Sequence, residues 1–163
     1  MPAAADLPYW SLLLVLSVIL AIASITDIKD RRIPNWTVLA VAVLFVPWAV
    51  TQHVSVLSAL GAAAIAFAIS CAMYAFGVVG AGDSKLLTVT ALFAGLGQLL
   101  PFLLLVALTG GVVALVSLAA RPVRALVMIQ MRGKGDFGRG VPYGVAIAVA
   151  TVGILMRRFV PIP

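Results

Sequence analysis

From Ser84 to Ala120 the chain runs for 37 residues with one charged side chain, Lys85. As a single α-helix rising 1.5 Å per residue this stretch would reach about 55 Å, whereas the hydrocarbon core of a bilayer is about 30 Å thick. The segment must cross twice or fold back. The sequence places the reversal at Gly95-Leu96-Gly97-Gln98, where two glycines interrupt the apolar run. That division makes a short fourth span and a fifth from about Leu99 to Ala120, with Pro101 in its first turn, where proline is tolerated.

The rest of the chain obeys the same constraint. At 64% hydrophobic and 10% charged residues it lies outside the composition of soluble domains. We expect an all-α membrane protein of about six spans, one polytopic domain over residues 1–163, with no soluble domain. The first span runs from about Leu7 to Ile25, with Tyr9 and Trp10 as an interfacial anchor, and reads as a retained span and not a signal peptide. Pro34 drives Ile33 toward an extended conformation, Asn35 is placed to cap the next helix, and a second span follows from about Trp36 to Thr51. The third, Val56 to Val79, is rich in the small residues that let membrane helices pack closely. The last runs from Pro142 to Met156, with Pro142 at a first helical position.

A net charge of +6 would point to nucleic acid in a soluble protein. Here the basic residues fall in short loops beside apolar segments, the pattern of topology determinants facing lipid headgroups, and no nucleic-acid partner is expected. With six spans and the N-terminus outside, Lys29, Arg31, Arg32, Lys85, Arg121, Arg124, Arg132, Lys134 and Arg139 are cytoplasmic, and Arg157 and Arg158 are not. This arrangement brings Asp27 and Asp83 to one membrane face.

The chain holds five carboxylates, Asp6, Asp27, Asp30, Asp83 and Asp136, and no glutamate. An ionised side chain at membrane depth costs roughly 2.5–3.5 kcal/mol on insertion scales and usually marks a reaction or transport site. Asp83 follows Gly80-Ala81-Gly82, and these glycines allow positive φ and close backbone approach. The bland alternative is a tight turn holding a solvated aspartate. Two aspartates held together do not both ionise readily, so one serves as acid and the other as base. Such a pair activates water against a peptide carbonyl. No Ser-His triad competes, and one histidine among scattered aspartates makes no metal motif, so neither metal nor cofactor is expected. His53 reads as a solvated loop residue, and Cys71 as a buried, inert thiol. Lys29 and Lys85 either bias a nearby carboxylate or anchor helix ends at the headgroups.

These residues carry a resemblance. Gly80-Ala81-Gly82-Asp83-Ser84-Lys85-Leu86 resembles the GxGD signature of the type IV prepilin peptidases. Asp27, followed by Pro34 and Asn35, resembles that family's first active-site aspartate with its downstream Ile-Pro-Asn, and Pro142-Tyr143-Gly144 resembles a motif near the start of its last helix. The resemblance spans about residues 20–150. It implies a GxGD intramembrane aspartic protease with Asp27 and Asp83 as the catalytic pair and Gly80, Gly82, Lys85, Pro34, Asn35, Pro142 and Gly144 around them. It also implies a prepilin or pseudopilin substrate with a single span and a short basic leader, cut at the cytoplasmic face of the bacterial inner membrane, and a place beside pilus-assembly or secretion machinery. Asp30 lies three residues beyond Asp27 and would share its face in a continuing helix, but the spacing to Pro34 selects Asp27. Longer members carry an N-terminal cytoplasmic region with paired cysteines thought to bind zinc, which this chain lacks. It looks similar to the short form associated with tight-adherence, Flp-type pili, and no residue here carries the methylation activity of the longer members across. Two other readings remain open at this level: a proton-coupled transporter using the same aspartates as a relay, and a non-catalytic assembly component.

Overall fold

The computed structural model describes residues 7–119 and 143–157. Its helices are α1 (Leu7–Asp30), α2 (Asn35–Thr51), α3 (Val56–Ala75), α4 (Ala81–Ala119) and α5 (Tyr143–Met156). Among the described residues there is no strand, and α1, α3 and α4 are long and apolar enough to cross a membrane. The protein is an all-α membrane protein.

Exposure follows the same logic from outside inward. Leu57, Val50, Leu108 and Leu115 lie bare on the outer faces, whereas Thr37, Ser70, Thr90 and Thr151 are buried. In hydrocarbon an apolar surface needs no cover, and polar groups turn inward to find partners.

The reversal expected near Gly95 is present. Gly95 has φ 62° and ψ 175°, a conformation essentially reserved for glycine, and it divides α4 into arms 81–94 and 96–119. The arms run in opposite directions. Along the first, Ser84 meets Ser70 of α3 at one end, while at the other end Leu96 N–H donates to Ser58 Oγ of α3 at 3.0 Å. Along the second, Gly153 packs on Leu105 and Gly110 on the Tyr143 ring, which returns the chain toward the end where α4 began. The Ser58 hydroxyl thus satisfies one of the four N–H groups that a helix start leaves without partners, although it belongs to another helix.

Helix α1 runs antiparallel to α5. The Tyr9 hydroxyl donates to the Leu155 carbonyl at 2.7 Å at one end, and Asp27 meets Gly144 at the other. Around Tyr9 an aromatic cluster fills the first end: Tyr9 lies 5.0 Å from Trp48, Trp48 5.5 Å from Phe93, and Phe45 5.4 Å from Phe93, measured between ring centroids. Bulk closes that end of the bundle and leaves the opposite end to the polar residues.

Several sequence expectations need correction. Helix α1 continues past Ile25 to Asp30 and stops where Arg31 takes φ 54°. Helix α3 ends at Ala75, not Val79, because Gly77 at φ 70° forms a Schellman stop: Gly77 N–H donates to Tyr74 and Val78 N–H to Met73. Asn35 is the first residue of α2 and not its cap, a position taken by Pro34. The second arm of α4 begins at Leu96, so Pro101 falls in its second turn and not its first. Cys71 is exposed on α3, facing out of the bundle where a buried thiol was expected. The loop Arg121–Gly140, Pro142, Asp6, Asp136 and Arg158 lie outside the described residues.

Candidate active site

The end of the bundle opposite the aromatic cluster gathers the C-terminus of α1 and the starts of α2, α4 and α5. Asp27, on the last full turn of α1, is 5% exposed, and Asp83, in the first turn of α4, is 8% exposed. The charge of Asp27 acts on Asp83, so residues 56 positions apart in sequence lie near enough in space to sense one another. Burial removes the solvated-turn reading of Asp83. Asp30, by contrast, is exposed.

Local chemistry explains each placement. Gly80 precedes the first helical residue of α4, its carbonyl accepts the Ser84 N–H at 3.0 Å, and its own N–H donates to Asp83 Oδ2 at 3.3 Å. This is the reciprocal half of a capping box, in which the third helical residue reaches back to the residue before the helix. One carboxyl oxygen is thereby held. The other, Asp83 Oδ1, is buried and has no hydrogen-bond partner among the described residues.

The two motif glycines act through space and not through unusual φ: the positive-φ glycines among the described residues are Gly77 and Gly95. A Cβ on Gly82 would stand 3.1 Å from Ile33 Cβ, and one on Gly80 would stand 3.0 Å from Asp83 Oδ2. Gly82 therefore lets the start of α4 rest on the loop between α1 and α2. Pro34, in an extended conformation at φ −62° and ψ 138°, sets the course of that loop, and its carbonyl accepts the buried Thr37 hydroxyl at 2.7 Å. Lys85 Nζ donates to Asn35 Oδ1 at 3.2 Å, so the two halves of the expected motif are joined directly.

Asp27 Oδ2 accepts the Gly144 N–H of α5 at 2.9 Å, a contact that sequence reasoning did not anticipate although it placed Gly144 near the site. Arg31, one turn beyond Asp27, acts on it as a positive charge. His53 is exposed in the α2–α3 loop, beyond the other end of α2. Among the described residues no three metal-ligating side chains gather into a site that could hold an ion.

The fold and site define a multi-pass membrane protein that brings two buried aspartates together at one end of its helices. Residues 14–115 match the type IV leader peptidase family, and the chain belongs to it. The matched segment contains Asp27, Pro34, Asn35, Gly80, Gly82, Asp83 and Lys85, and stops before α5. No curated protein and no solved structure matches the chain.

Proposed function

We propose that this chain is an aspartic endopeptidase that removes the basic leader from Flp-type prepilins or pseudopilins, with Asp27 and Asp83 activating the attacking water. The observation that carries the reading is the nearness of these two aspartates, the only charged side chains among the buried described residues, within a family of leader peptidases. An acid and a base within reach of one another are what water addition to an amide needs.

In this reading the whole chain is a single membrane domain crossing the bacterial inner membrane six times, with its N-terminus outside and the aspartates at the cytoplasmic face. The substrate is a single-span protein whose short leader stays in the cytoplasm. Its scissile bond, following a glycine before the hydrophobic helix, comes to the membrane surface where the pair lies. A midplane proton relay fits less well, because both aspartates sit at helix ends.

Co-expression with a prepilin from the same genome, followed by mass spectrometry of the pilin, tests the proposal. The wild type should remove the leader. Asp27→Asn and Asp83→Asn should each abolish removal while leaving the protein inserted and abundant, and the double change should be hardly worse than either alone, as for residues acting as a unit. Turnover near the wild-type rate by either single variant would refute the proposal.

A further inference from the structure

The two aspartates have unlike surroundings. Asp27 Oδ2 receives the Gly144 N–H at 2.9 Å in a buried contact. Gly144 is the second residue of α5, so its N–H has no carbonyl within its own helix to bond, and the positive end of the helix favours an anion there. The approach admits only a glycine. A Cβ at position 144 would stand 2.9 Å from Asp27 Oδ2, 3.2 Å from its Cβ and 3.3 Å from its Cγ. Ser24 Oγ, about a turn earlier on α1, donates to the Gly144 carbonyl at 3.4 Å and braces the same residue.

Asp83 differs in both oxygens. Its Oδ2 has the longer 3.3 Å contact from Gly80 N–H, and its Oδ1 is buried without a partner among the described residues. A buried ionised oxygen without a donor is costly, whereas a protonated one is itself a donor.

Resting on the peptidase reading, we propose that the Gly144 N–H is a fixed donor that aims Asp27 and keeps it as the base of the pair, while Asp83 carries the shared proton. Water then adds its oxygen to the scissile carbonyl carbon and gives a proton to Asp27, as Asp83 gives its proton to the carbonyl oxygen. As the gem-diol collapses, the C–N bond breaks, the leaving amine takes the proton from Asp27, and a diol hydroxyl returns one to Asp83. Both carboxyl groups end as they began, and one water has been consumed. Gly144 acts through Asp27 and is a positioning residue.

The test replaces the peptide bond between residues 143 and 144 by an ester, through incorporation of the α-hydroxy analogue of glycine at position 144. This removes the N–H without adding bulk or deleting a hydrogen bond within α5, whose one change is a weaker Tyr143 carbonyl acceptor. Groups facing Asp27 fix the sign of the pH effect: α5 meets it with a main-chain N–H, α4 with Asp83, and its own helix end with Arg31. Loss of a donor to the charged form makes ionisation harder. With a purified prepilin, kcat should fall at least tenfold with KM within twofold. The acidic limb of the kcat profile should move to higher pH by about one unit, the size expected for a hydrogen bond to a charged group. Gly144→Ala, which keeps the N–H but crowds the carboxyl group, should also lose kcat. Gly153→Ala, whose Cβ meets Leu105 Cδ2 at 3.1 Å and no other helix among the described residues, should keep at least half. An ester enzyme with unchanged kcat, or with an unshifted acidic limb, would overturn the inference, whereas a wild type that cuts no prepilin would overturn the peptidase reading instead.

Discussion

Lys85 Nζ lies 3.2 Å from Asn35 Oδ1 and ties the second turn of α4 to the first residue of α2 across 50 positions of sequence. The pair is exposed, so solvent competes for it and its direct worth to stability is small, about 0–1 kcal/mol by analogy with exposed ion pairs. Its effect should fall on the alignment of the two motifs. Lys85→Met and Asn35→Ala should each lower kcat/KM for leader cleavage by roughly two- to tenfold, and the double variant should be no worse than the poorer single one. Additive losses in this double-mutant cycle would show that the two side chains act separately.

Gly82 and Ile33 make the other link between the halves of the site. A Cβ at position 82 meets the Cβ and backbone nitrogen of Ile33, atoms at the root of the side chain that no rotamer change can move. Gly82→Ala should therefore push α4 away from the α1–α2 loop and lower activity at least tenfold, about 1.4 kcal/mol of transition-state stabilisation. Ile33→Gly removes the opposing Cβ and should restore part of the loss in the Gly82→Ala background. Rates with purified prepilin decide the matter: no recovery in the double variant would show that the clash is not the cause.

Gly95 and Ser58 govern the reversal and lie away from the aspartates. An alanine at position 95 would have to hold φ 62°, ψ 175° and fit a Cβ 3.2 Å from Ser58 Oγ. Backbone strain of this kind costs about 1–3 kcal/mol. Ser58→Ala leaves the Leu96 N–H without its acceptor, a loss of about 1 kcal/mol by analogy with helix caps. Both variants should unfold earlier in denaturant-containing micelles, while the folded fraction keeps close to the wild-type kcat. A large drop in kcat at unchanged stability would contradict the separation of reversal from site.

The sequence carried this reversal because a 37-residue apolar run is too long to cross a bilayer once, and Gly95-Leu96-Gly97-Gln98 is a break placed to divide it into two. It also carried the pairing of Asp27 with Asp83, since charge asymmetry between loops brought both to one face. Other features had local signals that were outweighed. Gly77 is a plain helix stop, but apolar Val78 and Val79 beyond it extended the expected span. Arg31 ends α1 in a left-handed conformation that nothing in its side chain announces. The Ser58 contact with Leu96 and the Gly144 contact with Asp27 were not legible at all, because each joins helices whose relative rotation only packing decides.

Orientation is the step on which cytoplasmic cleavage depends. His53 and Asp30 are both exposed and lie beyond opposite ends of α2, so they report on opposite faces of the bundle. Cys71 is the sole cysteine and is exposed, and its replacement by alanine gives a background free of native thiols. In that background His53→Cys should react with an impermeant maleimide in intact cells, while Asp30→Cys should react only after the membrane is opened. The positive-inside bias sets this expectation, because Lys29, Arg31 and Arg32 surround Asp30 and no basic residue adjoins His53. Asp30 is exposed and outside the buried pair, so Asp30→Cys should retain leader cleavage, and labelling can be read on an active enzyme. The reverse labelling pattern would place Asp27 and Asp83 at the outer face, where a leader held in the cytoplasm cannot reach them.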